Sequence, residues 1–533
     1  RSLGWHAREG QTLVFRRPGS VALTPGQRTT AWFFLVMAAL FLVQTLVGGA
    51  SQHYRAELSN FFGFNLGEYL PFNLMRTWHV QLSIFWVATS FLAAGIFIAP
   101  MVAGREPPGQ RWLAFALLGA LVVVVVGSLA GEAAGIHGWS RNIWLANQGF
   151  EYLDLGRLWQ LLLVVGLFFW VAMLWRTLRP RLATEQLGNM PWLFFFAALA
   201  IPAFYAIGLL AHPRSHFTIT EFWRFWVVHL WVEDFLELFT TVMVAYLFVL
   251  LGVVAERVAL RLVYLEMILY AVGGVVGTMH HLYFSGGPVS HMALGALFSA
   301  AEVIPLTFLT VEAWSFLQLG QKQWTSTTAQ GAFPHRWAIM FLVAVGFWNF
   351  LGAGIFGFLI NLPIVSYYEI GTALTSNHGH ASMMGVYGML AAGLATFAVR
   401  YLVPDQRWPE RFAKVSFWCL NLGLAWMVFA TLFPIGLLQL ERSVSVGYFE
   451  AREIKYLTTG YLSLFEWMRL PGDVVFIGGG VLPLLWICIQ GVRHAGGRDL
   501  DTGTGSALFT EVTHGEPGQM SGATAAGVTE ELP

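Results

Sequence analysis

The sequence predicts an all-α protein that crosses a membrane about twelve times. Hydrophobic residues make up 56% of the 533-residue chain and charged residues only 11%, whereas soluble domains contain about 25% charged residues. The apolar runs are long and continuous, close to the roughly 20 residues that cross a bilayer as a helix, and do not alternate as in a β-barrel. This composition excludes a soluble globular protein and a disordered protein.

Charge and cysteine content exclude two further classes. Thirty basic residues balance thirty acidic ones, which argues against a nucleic-acid partner because phosphates demand a basic surface. Cys419 and Cys488 are the only cysteines, and both lie in apolar runs, so a disulfide scaffold is excluded. The composition therefore predicts a protein that is surrounded by membrane lipid.

Apolar runs separated by polar breaks predict the individual spans. They lie near residues 30–50, 73–100, 112–130, 156–176, 191–212, 220–252, 260–284, 291–318, 335–361, 379–400, 412–437 and 470–492. We find no repeat of 20–50 residues and no separate soluble domain among them. Residues 30–493 are therefore interpreted as one transmembrane domain.

The two ends differ from this apolar body. Residues 1–29 contain RRPGSVALTPGQR and begin with Arg rather than Met, and we interpret them as a stub that follows a missing N-terminal domain. Residues 494–533 are rich in Gly, Thr, Ser and Glu and are predicted to form a disordered tail. Most Lys and Arg residues fall on the side shared by both ends, which places both termini of this chain in the cytoplasm by the positive-inside rule.

Six of the 15 histidines lie deep in predicted spans: His79, His229, His280, His281, His378 and His380. Ionisable residues there are costly and functional by default, and neutral imidazole is the commonest metal ligand. His378 and His380 point about 200° apart around a helix, so one helix could bind a heme on each side, with His79 as a further axial ligand. His229, His280 and His281 could hold a non-heme metal. A set of unrelated polar contacts is the alternative.

The order of these histidines resembles the ligand pattern of the heme-copper oxidase superfamily over about residues 30–492. One His lies on the second span, one on the sixth, a His-His pair on the seventh and His-x-His on the tenth. The resemblance implies a low-spin heme b held by His79 and His380 and a high-spin heme b held by His378. It also implies a non-heme metal held by His229, His280 and His281.

The residues beside the metal separate oxidases from nitric oxide reductases. The common oxidases have a tyrosine four residues after the sixth-span histidine, where this chain has Glu233, in VVHLWVEDFLE. The C-family oxidases have it on the His-His helix, where this chain has Gly273. Glu237 follows Glu233 by four residues, as Glu233 follows His229. Glu302, in FSAAEVIPL, is a third intramembrane carboxylate. Hydrogen bonding between helices is the alternative role for these carboxylates.

This set resembles the catalytic subunit of bacterial nitric oxide reductases. In that family the carboxylate matching Glu233 ligates a non-heme iron, and those matching Glu237 and Glu302 shape the site and deliver protons. The implied reaction joins two nitric oxide molecules to nitrous oxide and water and consumes two electrons and two protons. The implied location is the bacterial cytoplasmic (inner) membrane.

The electron donor is indicated by a second group of residues. The sequence has no Cys-x-x-Cys-His, so this chain carries no covalent heme c. His53 and Glu57, in SQHYRAELSNFFGF, and Asp473, in WMRLPGDVVF, resemble the quinol pocket of quinol-dependent reductases, and Arg452 falls where that subfamily has an arginine. Capping at the membrane interface is the alternative. Members of that subfamily carry an additional N-terminal domain, which fits the Met-less start.

Glu151 and Asp154, in NQGFEYLDLGR, resemble a family segment near the heme propionates. Cytochrome-type enzymes bind calcium there, and the resemblance leaves calcium open for this chain. The alternative functions are a nitric oxide dismutase, a quinol-linked terminal oxidase, and a heme-bearing transporter or inactive homologue. Complete metal and quinol positions disfavour the dismutase, and the missing tyrosine disfavours the oxidase. The quinone and a homo-oligomeric state are left open.

Overall fold

The computed structural model describes residues 18, 21–251, 253–327 and 334–496. Most of the predicted stub, and the predicted tail from residue 497, lie outside the described residues. The described chain is almost entirely helical, so the predicted all-α membrane fold is confirmed.

The long helices follow one another in chain order with short connections. They are α1 (Pro25–Glu57), α2 (Phe72–Ala103), α3 (Gln110–Ile136), α4 (Arg157–Leu182), α5 (Met190–Gly208), α6 (217–250), α7 (256–281), α8 (Val289–Ser315), α9 (Arg336–Asn361), α10 (Ala373–Leu402), α11 (Glu410–Ser445) and α12 (Gly460–His494). Among the described residues, ten of these are long and apolar enough to cross a membrane. Helices α6 and α7 lie outside that group, so the predicted number of about twelve spans is approximate.

Short helices occupy several of the connections. They comprise Leu66–Glu68, Tyr283–Ser285, Pro363–Glu369, Asp405–Arg407, Glu450–Arg452 and Ile454–Leu457. All lie between or beside the long helices, at the ends of the bundle. Of these short helices, Glu450–Arg452 contains Arg452, which the sequence analysis compared with an arginine of the quinol-dependent reductases.

The start of α1 lies before the predicted boundary at residue 30 because the chain caps it there. Thr24 and Gln27 form a reciprocal capping box, and Pro25 occupies the first helical turn, where its fixed φ suits a helix. The Glu106 carboxylate accepts a hydrogen bond from the Gly26 backbone N–H at 2.9 Å. This polar contact also ties α1 to the connection that follows α2.

Helices α2 and α10 lie at the centre of the bundle. In their most apolar windows 83% and 89% of residues are buried, compared with 33% in α4. The Ser90 hydroxyl of α2 donates to the Ala391 carbonyl of α10 at 3.2 Å. Since α2 carries His79 and α10 carries His378 and His380, the fold puts these imidazoles in its interior.

Besides two in α11 and α12, at Met427–Leu432 and Val474–Val481, turns of π-helix interrupt the four helices α6, α7, α9 and α10. They span Trp226–Leu236 in α6, Tyr270–Gly274 in α7, Asn349–Phe356 in α9 and Met383–Gly388 in α10. Such turns bond residue i to i+5, are rare, and occur frequently at functional sites. The turn in α6 contains both His229 and Glu233, so it determines how these two side chains are aimed.

Candidate metal and heme centre

Four side chains of α6 and α7 meet at one point inside the bundle. The His229 Nδ1 atom lies 2.6 Å from Glu233 Oε2 and 3.3 Å from His281 Nε2. The His280 and His281 Nε2 atoms are 2.8 Å apart, and His281 Nε2 is 3.8 Å from Glu233 Oε2. The structure thus brings together all four residues that the sequence assigned to the non-heme metal.

This arrangement has the dimensions of a metal site. Four ligands in a tetrahedron with metal–ligand bonds of about 2.0–2.2 Å lie about 3.3–3.6 Å from one another, and the measured separations fall on both sides of that range. His229 and His280 are fully buried, and three imidazoles and a carboxylate whose ligand atoms lie within 4.8 Å of one another offer the nitrogen and oxygen donors that a metal ion takes. The donor set therefore fits one metal ion with three nitrogen ligands and one oxygen ligand.

Contacts from neighbouring helices fix the π turn that carries His229 and Glu233. The Trp231 indole N–H donates to the Ile201 carbonyl of α5 at 2.9 Å. The Tyr387 hydroxyl of α10 donates to the Val232 carbonyl at 2.8 Å. Because both bonds lie within the π turn, the metal ligands of α6 are held against the helix that carries His378 and His380.

The three remaining histidines share one hydrogen-bonding pattern. Their Nδ1 atoms lie near backbone carbonyls: His79 at 3.1 Å from Gln44, His378 at 2.8 Å from Gly352 and His380 at 2.8 Å from Ser376. A carbonyl oxygen only accepts, so the proton is on Nδ1 and the Nε2 lone pair can bind a metal; at His79 the Gln44 side-chain amide also lies 3.4 Å from Nε2. Each imidazole is therefore prepared for axial ligation of a heme iron.

His79 and His380 face each other as a pair of axial ligands would. Their ring centroids are 5.8 Å apart and their planes differ by 28°. With metal–nitrogen bonds of about 2.0–2.1 Å on both sides, two axial imidazoles have centroids about 6 Å apart. The side chains thus fit a heme with two histidine ligands, while His378 turns to the Gly352 side and lies near His281.

The comparisons with known proteins agree with this geometry. Residues 28–475 match the family model described as cytochrome c and quinol oxidase polypeptide I. The chain belongs to this family of heme-copper oxidases. The predicted superfamily is thereby confirmed, and membership implies heme cofactors and a metal centre.

Two relatives show how the chain compares with other family members. It is 27% identical over 458 residues to a subunit of the nitric oxide reductase of Stutzerimonas stutzeri, covering 84% of this chain and 91% of the relative. A heme-copper terminal oxidase dimer solved by cryo-electron microscopy matches with a TM-score of 0.63 at 16% identity. That match covers 92% of this chain and 88% of the other. This structural likeness establishes the fold.

Further carboxylates surround the metal centre of this oxidase-family chain. Asp234, Glu237 and Glu302 are buried. One ligand atom each of His229, Asp234 and Glu302 lies within 4.8 Å of the others. Glu237 and Glu302 were predicted from the sequence, whereas Asp234 was missed because it does not share an α-helical face with His229.

The position at which C-family oxidases place their tyrosine is filled by a carboxylate. A Cβ atom on Gly273 would lie 2.9 Å from Glu302 Oε1 and 3.2 Å from the Phe298 Cβ atom. A larger side chain at residue 273 would therefore have to displace Glu302. The same space thus holds a carboxyl group in this family member.

Charged residues cluster around Glu151 and Asp154, in the connection between α3 and α4. The sequence predicts that this segment lies near the heme propionates. Arg224 Nη2 donates to Glu151 Oε2 at 2.7 Å, and Arg76 pairs with the other oxygen, Oε1. Asp154 is buried beside them. Burial and the neighbouring Glu151 charge raise the pKa of the Asp154 carboxyl to about 7, against the opposing effects of Arg76, a Gln81 hydrogen bond and Arg224.

The predicted quinol residues His53, Glu57 and Asp473 belong to one hydrogen-bonded network. Arg469 Nη2 donates to His53 Nδ1 at 2.6 Å, so the proton of the imidazole is on Nε2, which lies 3.0 Å from Glu57 Oε2. Arg469 also pairs with Asp473. Arg469 connects the two halves of the network and was missed in the sequence, although it stands four residues before Asp473.

Arg452 lies in a different set of contacts. Its guanidinium donates to the backbone carbonyls of Tyr448, Tyr368 and Ile370, and its centre lies 3.5 Å from the Tyr448 ring centroid. These bonds hold the connection before α10 against the connection after α11. They fit a structural role.

We predict that the two heme sites of the family can be removed separately. His380→Ala should abolish the absorption of the low-spin heme and keep that of the high-spin heme, because only the former loses an axial ligand. His378→Ala should do the reverse. Optical spectra of the two purified variants check this, and loss of the same heme in both variants would contradict the assignment.

We predict that Asp154 makes stability depend on pH. Its pKa rises from 3.8 to about 7 on folding, so the folded protein binds the proton more tightly and loses stability as the pH rises from about 4 to 7. Asp154→Asn removes this ionisation and should raise the melting temperature at pH 8 relative to the parent. Thermal unfolding in detergent between pH 5 and 8 measures it, and parallel curves for the two proteins would refute the shift.

Proposed function

We propose that this chain reduces nitric oxide to nitrous oxide and water at a centre of high-spin heme b and non-heme iron. The observation that carries the proposal is the position of Glu233, whose carboxylate stands beside the three metal histidines at 2.6 Å from His229 Nδ1. The relationship to a nitric oxide reductase supports it. A quinol-linked membrane oxidoreductase is the broader class in which we place the chain.

The donor set favours iron over copper. A carboxylate is a hard oxygen ligand, and a site with several imidazoles and one carboxylate is typical of non-heme ferrous iron. Glu233 occupies the place that the common oxidases use for their tyrosine. Because that phenol is needed to cleave dioxygen, its replacement by a metal-binding carboxylate favours nitric oxide as the substrate.

The reaction requires two nitric oxide molecules, two electrons and two protons. When bound, the heme and the non-heme iron supply electrons and hold the two substrates close together, which makes N–N bonding effectively unimolecular. The side chains of this protein provide the rest. His229, His280, His281 and Glu233 would hold the metal and His378 would hold the heme, and the bundle interior excludes bulk water.

Glu237 and Glu302 provide places for protons beside the centre. Both are buried, and Glu302 lies within 4.8 Å of His229. A buried carboxyl group that can hold and release a proton within reach of the reacting oxygen is a suitable acid for the release of water. We propose that these two groups deliver the protons that the reaction consumes.

Glu151 and Asp154 are proposed to neighbour the heme propionates. Arg76 and Arg224 together offer positive charge there, and both oxygens of Glu151 are engaged by these arginines. Such an arrangement suits recognition of propionate groups by arginine. Because the Glu151 oxygens are already occupied, we leave calcium out of the proposal.

Quinol is proposed as the electron donor at the network of His53, Glu57 and Asp473, extended by Arg469. His53 is fully buried and lies among the rings of Phe61, Phe62 and Trp467, with centroid distances of 4.3–5.2 Å. Aromatic rings suit a planar quinol ring. The Glu57 and Asp473 carboxylates can accept its two hydroxyl protons, and His53 holds Glu57 in place through its Nε2–H.

Helix α1 places this network next to the low-spin heme ligand. A Cβ on Gly48 would collide with the His79 imidazole, and a Cβ on the next residue, Gly49, would lie 3.8 Å from both Arg469 Nη1 and Asp473 Oδ2. His53 follows Gly48 by five residues, which is about 7.5 Å along the helix axis. A quinol bound here would be close enough to give its electrons to that heme directly.

We predict that Glu233→Gln abolishes nitric oxide turnover while both heme spectra stay largely intact. The amide removes the anionic metal ligand but keeps the size of the side chain, so the loss is confined to the non-heme metal. Nitric oxide consumption with a reduced quinol, together with the iron content per heme, provides the measurement. Normal turnover in this variant would refute the ligand role.

We predict that Asp473→Ala slows quinol-driven turnover more than turnover with an artificial donor, because it removes a proton acceptor and frees Arg469. Asp405→Asn is the matched control, since Asp405 also pairs with an arginine, Arg400, at 2.6 Å but lies outside this network. The control should leave both rates unchanged. Equal slowing of the two reactions in Asp473→Ala would argue against a quinol pocket.

A further inference from the structure

Asp234 follows Glu233 directly and lies inside the π turn of α6. In an α-helix, the fifth residue after His229 would point about 140° away from it. A π turn bonds residue i to residue i+5, so Asp234 comes to lie on the same face as His229. Ligand atoms of the two residues are within 4.8 Å of each other.

The polar atoms on this side of His229 lack partners. Its Nδ1 atom belongs to the metal-ligand set, whereas its Nε2 atom has no hydrogen-bond partner among the described residues. Neither carboxylate oxygen of Asp234 has a hydrogen-bond partner among the residues that the structure describes. Both side chains are fully buried, and buried polar groups are nearly always hydrogen-bonded.

Two glycines of α7 keep the space between these groups open. A Cβ on Gly274 would lie 2.6 Å from Asp234 Oδ2, and a Cβ on Gly277 would lie 2.5 Å from His229 Nε2. Real Cβ atoms do not approach so closely, so any other residue at 274 or 277 would push these side chains aside. Helix α7 therefore forms a cradle in which the Asp234 carboxylate and the His229 ring lie side by side.

We propose that Asp234 is a positioning residue for the metal centre: when the metal is bound to His229 Nδ1, the Asp234 carboxylate closes the remaining gap and accepts a hydrogen bond from His229 Nε2–H. This bond selects the tautomer in which the Nδ1 lone pair is free for the metal, and it holds the ring in orientation. Carboxylates behind metal-binding histidines act in this way generally. The inference rests on the proposed metal centre.

Glu302 is the other carboxylate near His229, and the geometry favours Asp234. Asp234 stands on the same helical turn as His229 and has two oxygens without a partner in the described chain, whereas Glu302 has one such oxygen. That oxygen, Oε1, is the atom nearest to Gly273. Glu302 therefore lies against Gly273 of α7, whereas Asp234 lies against Gly274.

The test compares Asp234→Ala and Asp234→Asn in the full chain with its hemes bound. Iron per heme is measured after exposure to increasing concentrations of a ferrous chelator. The alanine variant should lose its non-heme iron at a chelator concentration about 10-fold or more below that of the parent. The asparagine variant keeps an acceptor oxygen and should fall between the two.

The midpoint potential of the non-heme iron gives a second readout that a merely structural role would not move. Removing a negative charge behind a ligand disfavours the ferric state, so the potential should rise in both variants. Glu266→Gln is the control, because Glu266 is an equally buried carboxyl whose Oε1 accepts from Thr241 and Tyr270 at 2.8 and 2.7 Å. It should retain iron and potential as the parent does.

Two outcomes would overturn the inference while leaving the proposed function intact. One is parental iron retention and parental potential in both Asp234 variants. The other is loss of iron in Glu302→Gln with none in Asp234→Ala. If the alanine variant fails to assemble its hemes, the potential of the asparagine variant decides. A parent protein without non-heme iron would instead refute the proposed function, and this inference with it.

Discussion

The convergence of imidazoles and a carboxylate on one point within a membrane is the constraint that shapes this structure. A polar group left without a partner in such surroundings costs several kcal/mol, and the contacts among His229, His280, His281 and Glu233 keep these groups partnered with one another. Coordination to a metal would likewise give each ligand atom a partner. The helices that carry these residues are therefore arranged around the metal site, and the apolar outer helices enclose it.

The backbone adapts to this site in two ways. A π turn in α6 widens the helix so that His229, Glu233 and Asp234 all reach the same region, which a regular α-helix would forbid. Glycines on facing helices then provide room for the side chains: Gly277 for His229, Gly357 for His378 and Gly48 for His79. In each case a Cβ atom would meet the imidazole, so glycine at these positions is a requirement of packing.

The sequence points to a candidate ligand set because ligand chemistry depends on residue type and coarse spacing. The six histidines of the predicted spans and Glu233 could be proposed as ligands before any coordinates, and the structure brings His229, His280, His281 and Glu233 within ligand distance of one another. Asp234 and Arg469 could not be assigned in this way. The first depends on a π turn that α-helical periodicity does not predict, and the second on a contact between α1 and α12, 416 residues apart. The count of spans was approximate because α6 and α7 are not among the ten helices of the described chain that are long and apolar enough to cross a membrane.

The choice between oxidase and reductase chemistry is made by side chains and not by the fold. The chain matches a terminal oxidase structure over most of its length at 16% identity, so the bundle itself is compatible with either reaction. At residue 273 a tyrosine and the Glu302 carboxyl group compete for one volume, and glycine there leaves the volume to the carboxyl. At residue 233 an acidic ligand replaces a phenol. In the proposed function, the carboxyl groups at these two places bind the metal or hold a proton, and neither place offers the phenol that one or the other oxidase family uses. In the proposed function, residues 233 and 273 are the positions at which a shared scaffold would differ between splitting an O–O bond and forming an N–N bond.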